Sequence, residues 1–390
     1  MEISASKRLQ TFQTGIFADI NEKQENLKKS GKKIYNLSIG TPDFLAPDNV
    51  TKEIATASLD PHNYGYTLTD MPELLCAVRD YYKRRFNVEI SPDEIVSVHG
   101  TQEGMGHLGL ALIDEGDTVL LPNPGYPVFE AGMKLGGANI EFYPLLLREN
   151  GFLPNFSKIP EETAKKAKLM VISYPYNPVC STAPDGVYLD AIEFCKKHNI
   201  ILIHDNAYSD IIFDGKVGGS FLRFDGAKTI GAEFFSLSKS FNVTGARISF
   251  LIGNKKIIDA VKLLRSQYDF GMFKPLQLGA IKALSEPFEN VKKQCEKYQK
   301  RRDALCGGLR KIGWDVPNSE GTMFVWAPIP PKFKSSREFC MALMEQAGVV
   351  CTPGDAFGSL GEGYVRFALV LPENELQKIV EVIDKSGILK

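Results

Sequence analysis

The chain has 390 residues, enough for two domains of ordinary size with substantial cores. Its 46 Lys and Arg offset 47 Asp and Glu, and 44% of residues are hydrophobic, which points away from polyanion binding and from disorder. No apolar run approaches the roughly 20 residues that span a bilayer, residues 1–16 hold no signal-peptide core, and seven scattered cysteines without a C-x-x-C pair read as reduced thiols of a cytoplasmic protein.

From about Thr51 to Leu284, helical and strand-like stretches alternate, the pattern of a mostly parallel sheet with helices on both faces. An amphipathic helix is predicted over Pro72–Phe86, with Leu74, Leu75, Val78, Tyr81 and Tyr82 on one side and Asp70 available as its cap. Short β-branched or aromatic runs bounded by polar or Gly/Pro residues predict strands at Glu94–Val98, Thr118–Pro122 and Lys168–Ser173. The charged cluster Lys165–Lys168 reads as a solvated face. A helix over Val187–His198, closed by Asn199, leads to strands at Ile200–Asp205, Glu233–Leu237 and Ile248–Ile252. After Pro275 the texture changes. A charged helix from about Glu289 to Ile312, a strand at Thr322–Ala327, a helix at Ser335–Ala347 and a strand at Tyr364–Val370 predict a smaller α+β domain.

Two groups of residues carry chemistry. Ser236-Leu237-Ser238-Lys239 stands at a strand end, where open α/β sheets place their ligands, and Ile200–Asp205 delivers Asp205, followed by Tyr208, to the same edge. The separation of Asp205 from Lys239 suits the ends of two parallel neighbours joined by a crossover helix. A lysine and a carboxylate facing one ligand are what pyridoxal phosphate needs. The amine forms a Schiff base, and the anion keeps the pyridine nitrogen protonated so that the ring accepts carbanion electrons. Singly, each residue has a plainer reading: Lys239 as surface decoration, Asp205 as a helix cap, Arg366 as a surface ion-pair member.

The run from Ser236 to Arg247, S-x-S-K-x-x-N-x-x-G-x-R, resembles the class I/II aminotransferases of the aspartate aminotransferase superfamily, and the likeness extends over nearly the whole chain. It implies a fold-type I α/β protein: an N-terminal segment 1–48 packing with the small domain, a large cofactor-binding domain 49–288 with a mostly parallel sheet sandwiched by helices, and a small C-terminal α+β domain 289–390. It implies that Lys239 carries pyridoxal 5'-phosphate, that Arg247 and Ser236 bind its phosphate, that Ser238 is a further cofactor-binding residue, and that Tyr208 donates to the ring hydroxyl oxygen. Gly100, Thr101 and Gln102, in a turn opening a helix, would present backbone N–H groups to the same phosphate. His99 in that turn is a further possible cofactor contact.

Tyr126, in Asn123-Pro124-Gly125-Tyr126-Pro127, resembles the aromatic that stacks on the cofactor ring, and Asn177, in Tyr174-Pro175-Tyr176-Asn177-Pro178, the asparagine that meets the ring hydroxyl oxygen and orients substrate. Arg366, in Tyr364-Val365-Arg366-Phe367-Ala368, resembles the arginine that grips the α-carboxylate, and Gly40 falls in a segment that covers the site. Tyr66, with Tyr64 as the competing register, resembles the tyrosine sent to the neighbouring subunit's phosphate, which implies a homodimer with no nucleic-acid or membrane partner. Substrates would be an L-amino acid and a 2-oxo acid, with Lys239 shuttling the Cα proton as a neutral amine.

Departures accompany these matches. Ala246 stands where many relatives carry tryptophan, Val179-Cys180 replaces Thr-Gly, and Asp70-Met71 stands where glycine is usual. None removes a reacting group, but side-chain preference does not follow from them. A carbon–sulfur β-lyase would share Lys239, Asp205 and Arg366. A non-catalytic ligand-sensing regulator is disfavoured by the absence of a basic helix-turn-helix. Leu264–Phe273 resembles the corresponding stretch of LL-diaminopimelate aminotransferases, which adds diamino acids to alanine, aspartate, glutamate and aromatic acids as candidates. The five histidines show no pair at metal-ligand spacing, so no metal is expected and His99 and His204 read as hydrogen-bonded structural residues.

Overall fold

The computed structural model describes residues 3–12, 16–149 and 151–390. Residues 1, 2 and 13–15 of the expected N-terminal segment lie outside the described residues. In chain order the strands are β1 (Tyr35–Asn36), β2 (Ile95–Val98), β3 (Thr118–Asn123), β4 (Asn139–Arg148), β5 (Gly151–Pro154), β6 (Ala167–Ser173), β7 (Ile201–Asp205), β8 (Gly231–Ser236), β9 (Ser249–Gly253), β10 (Phe324–Pro328), β11 (Val349–Val350), β12 (Thr352–Pro353) and β13 (Tyr364–Ala368).

Eight strands form one sheet in the order β2-β9-β8-β7-β6-β3-β4-β5. Its middle, β8-β7-β6-β3-β4, is parallel, and β9, β2 and β5 run antiparallel to their neighbours. This is the mostly parallel sheet that the alternating pattern predicts, in the fold-type I arrangement that the resemblance implies. Leu169, Val171, Leu202, Ile203, Phe234 and Leu251 are buried without residual exposure, as expected of strands covered on both faces. Because β3, β6, β7 and β8 point the same way, Asn123, Ser173, Asp205 and Ser236 end along one edge, and Ser173 lies beside Asp205 in register.

Helix ends follow local chemistry. Asp185–His198 stops where Asn199 turns left-handed at φ 57° and its N–H returns to the Cys195 carbonyl. Ser335 caps Ser336–Ala347 by accepting from Glu338 N–H at 3.1 Å. Asp70 does not cap Pro72–Phe86. Met71 is the N-cap residue, and the Asp70 carboxylate instead accepts from Ser97 N–H at 2.8 Å and from the Ser97 hydroxyl, pinning that helix start to β2. Lys168 also leaves the solvated face proposed for it and pairs with Asp117 at 2.5 Å, which ties the starts of β3 and β6.

The β4–β5 hairpin is absent from the sequence reading. Asn139, Glu141 and Arg148 interrupt its apolar pattern: within β4 only Tyr143 and Leu145 are buried, and its ladder to β3 carries the rest of the strand.

The C-terminal part forms a second sheet, β10-β13-β12, with Arg366 on the central strand opposite Trp326 on one side and Thr352 on the other. Near the start of the chain β1 pairs with β11 in parallel, and Ala368 N–H donates to Leu37 O at 2.7 Å, so the segment after β1 is strapped to this sheet. Asp43 extends the strap by a two-point ion pair to buried Arg301 at 2.6 and 2.7 Å.

Candidate active site

A cavity of about 260 Å³ opens where the carboxyl edge of the large sheet meets the strapped N-terminal segment and β13. Gly40, Thr101, Gln102, Tyr126, Asn177, Asp205, Tyr208, Ser236, Ser238, Lys239, Arg247 and Arg366 line it, all of them residues the motifs single out. They come from seven separate stretches of chain, brought together by the parallel middle of the sheet.

Lys239 sits in the short helix Leu237–Ser240, which Ser236 caps by accepting from Ser238 N–H at 3.1 Å. Its ammonium donates to the Gly40 carbonyl at 2.9 Å and lies 5.9 Å from the centre of the Tyr208 ring. Burial, with Arg366 and Arg247 beside it, lowers the Lys239 amine to about 8, so the neutral form is accessible near physiological pH. Asp205, 7% exposed, accepts from Ala207 N–H at 3.3 Å, and burial raises its carboxyl to about 6. An acid so placed is short of a cationic partner. Burial also holds the Tyr208 and Tyr126 phenols above their ordinary range, so both remain neutral donors.

Arg366 is buried, which excludes the reading of it as a surface ion-pair member. Its Nη1 donates to Asn177 Oδ1 at 2.7 Å and Nη2 to Ser38 O at 3.2 Å, while the guanidinium carbon lies 4.1 Å from the Phe324 ring centre and 4.6 Å from that of Phe357. Asn177 and the aromatic rings thus fix a guanidinium without neutralising it.

At the opposite end, Gly100 adopts φ +89° and ψ 154°, a conformation open essentially to glycine, and opens the helix Thr101–Leu112. The guanidinium of Arg247 packs directly on its α-carbon, where a β-carbon would overlap Nη2. A cation and the unpaired N–H groups of a helix start therefore converge, an arrangement that binds a phosphate.

Tyr66 does not join the cavity of its own chain. It is 88% exposed and packs its ring 5.7 Å from that of Phe270. The Tyr64 hydroxyl is engaged within the chain, donating to Ser58 O at 2.7 Å. His99 points away from the cavity toward Glu103 and Asp269, whereas His204 is a buried structural residue with Nδ1 2.7 Å from Glu233 Oε2. Phe324, Phe129, Ser173 and Thr244 also line the cavity without having been singled out. Phe324 closes over Gly40, where any β-carbon would strike its ring. An apolar residue in a strand carries no sequence signal for such a role.

The sequence pattern of the family described as aminotransferase class I and II matches residues 32–383. The LL-diaminopimelate aminotransferase of Dehalococcoides mccartyi strain 195 is 40% identical over 375 residues, 96% of each chain. Transaminase BacF of Bacillus subtilis is 40% identical over 393 residues, covering 100% of this chain and 98% of that one. The substrate-bound BacF structure superposes with a TM-score of 0.93 over 99% of this chain and 98% of that chain, at 39% identity.

Proposed function

The chain belongs to the class I and II aminotransferases and is a pyridoxal-phosphate-dependent transaminase acting on an amino acid and a 2-oxo acid, and from that premise we propose how its own residues perform the transfer. The carrying observation is the cavity that holds Lys239, Asp205 and Arg366 together.

The donor set fits the cofactor at three points. Glycine-only backbone at Gly100 leaves the space in which Arg247 and the helix start meet a phosphate. Asp205 is a buried acid short of a cation, suited to a pyridinium, and Lys239 is an amine already lowered toward neutrality. When bound, pyridoxal phosphate supplies an electron sink for the carbanion at substrate Cα.

Gly100, Thr101, Gln102, Ser236, Ser238 and Arg247 bind the phosphate. Tyr126 covers the ring and excludes water, and Tyr208 and Asn177 donate toward the ring hydroxyl oxygen. Asp205 holds the proton at the ring nitrogen. Arg366, kept in place by Asn177 and the Ser38 carbonyl, takes the substrate α-carboxylate through two parallel hydrogen bonds. Lys239 would take the proton from substrate Cα and deliver it to the cofactor carbon rather than back to Cα, a role that needs the neutral amine its surroundings favour.

The active unit is a homodimer in which Tyr66 reaches the neighbouring phosphate. Exposed Tyr64, Tyr66, Leu68, Tyr268, Phe270 and Phe273 form the apolar surface that supports this. Seven free cysteines, five of them buried, suit a reducing compartment such as the cytoplasm.

Borohydride reduction of the holoenzyme followed by peptide mass analysis tests the assignment. The cofactor mass is expected on the peptide containing Lys239 and absent in Lys239→Ala, which is also expected to lack single-turnover conversion by any amino donor of a panel that includes diamino acids. Conversion by Lys239→Ala at the wild-type rate would refute the assignment.

A further inference from the structure

Behind the phosphate turn, on the side away from the cavity, two histidines and two carboxylates from separate parts of the chain converge. His99 follows β2, Glu103 and His107 lie one turn apart on the helix Thr101–Leu112, and Asp269 ends the helix Lys255–Tyr268. His99 Nδ1 lies 3.4 Å from Glu103 Oε1 and 3.6 Å from Asp269 Oδ2. His107 Nε2 lies 3.3 and 3.5 Å from the same two oxygens. The ligand atoms of His99, Glu103 and Asp269 all lie within 4.8 Å of one another, and His107 flanks the same two carboxylate oxygens. A tetrahedral zinc with bonds of about 2.0–2.1 Å has ligand atoms about 3.3–3.4 Å apart, close to the four imidazole–carboxylate spacings.

The other oxygen of each carboxylate is already held. Glu103 Oε2 accepts from His99 N–H at 2.9 Å and Asp269 Oδ1 from Arg265 Nε at 3.3 Å, which leaves Oε1 and Oδ2 turned to the centre. His107 supplies independent evidence. It is 2% exposed, its Nε2 stands within 3.5 Å of both oxygens, and among the described residues neither ring nitrogen makes a hydrogen bond. Leaving a buried polar group unpaired costs about 1–3 kcal/mol, so such an atom calls for a partner. The side chains of His99, Glu103 and Asp269 keep between a fifth and a third of their exposure, which gives an ion a route from solvent.

We propose that His99, Glu103, His107 and Asp269 form a divalent-metal site, selective for zinc among the common ions, separate from the transamination centre. Two imidazole nitrogens and two carboxylate oxygens are borderline donors suited to Zn²⁺, too nitrogen-rich for Mg²⁺ or Ca²⁺, and the two negative charges balance the ion. The metal braces the phosphate turn, since Gly100, Thr101 and Gln102 lie between ligands His99 and Glu103 and are tied through Asp269 to a different helix.

The test uses holoenzyme stripped with a chelator and titrated with Zn²⁺ alone, read by calorimetry and by metal content after gel filtration. One ion per chain is expected, with a rise in melting temperature, and both His107→Gln and Asp269→Asn are expected to weaken binding at least ~100-fold, more than loss of an outer-shell partner does. X-ray absorption of the zinc-loaded wild-type protein gives a readout free of folding effects, and two imidazole ligands are expected. Absence of stoichiometric zinc, unchanged affinity in both variants, or a zinc spectrum without imidazole each overturns the proposal.

Discussion

Gly100→Ala perturbs the phosphate end in two ways. Glycine at φ +89° and ψ 154° occupies a region that a β-carbon makes costly by about 1–3 kcal/mol, so the variant is expected to melt several degrees lower. The added methyl also overlaps the Arg247 guanidinium, which is the far end of a flexible side chain and swings away. Arg247 is partly solvent-exposed, so its charge-assisted bond to a phosphate is placed at the low end of the usual range, about 1.5 kcal/mol, or roughly tenfold in cofactor affinity. Titrating cofactor-free protein with pyridoxal phosphate, followed by near-visible absorbance, measures this. Because Arg247→Ala removes the same contact, the double variant is expected to bind little worse than either single one. Full additivity, or a Gly100→Ala protein with wild-type affinity, would show that the two residues do not meet at the phosphate.

Arg366→Leu is expected to raise KM for the amino donor by about 100- to 1,000-fold, the cost of losing a buried charge-assisted clamp, while Arg366→Lys recovers little because an ammonium lacks the planar fork. Steady-state kinetics with equal effects on a donor lacking the carboxylate would contradict this. The Asp205 carboxyl stands at about 6 in the folded chain against an ordinary 3.8, so between those values the folded state binds the extra proton and its stability falls as pH rises. Asp205→Asn is therefore expected to raise the melting temperature of the cofactor-free protein at pH 7.5, by an amount equivalent to about 2–3 kcal/mol, with the difference vanishing near pH 4. A variant no more stable than wild type at pH 7.5 refutes it. Sedimentation is expected to give twice the chain mass of 43.3 kDa, and mixing Lys239→Ala with Tyr66→Ala subunits to restore part of the activity each lacks. No restoration in mixed dimers excludes the shared site. Cystathionine without a 2-oxo acid is expected to release no pyruvate, and steady release would indicate elimination.

The alternation of strand and helix over residues 51–284 was legible because buried parallel strands are continuous apolar runs; Lys239 and Asp205 stood out as strand-end residues, and Tyr208, Asn177, Arg247 and Arg366 stood out by resemblance, and all of them line the cavity. The β4–β5 hairpin left no such pattern, since β4 mixes exposed polar residues with only two buried ones and relies on ladder bonds to β3. Asp70 illustrates the same limit. Its composition and place suited a helix cap, but Ser97 of β2 offered two donors at once, and a carboxylate goes where more hydrogen bonds are made.

The sequence by itself singled out an amine, an acid and a guanidinium, in order, on a mostly parallel sheet, and all three line one cavity. Only the tertiary structure decided what surrounds them. That burial beside Arg366 and Arg247 brings the Lys239 amine to about 8, that Phe324 closes over Gly40, and that His107 meets Asp269 across two helices are all consequences of distance in space. Apart from Arg247, which the run from Ser236 to Arg247 already contains, these neighbours are far apart in the linear order of residues, so no motif records the desolvation and Coulomb interaction they produce.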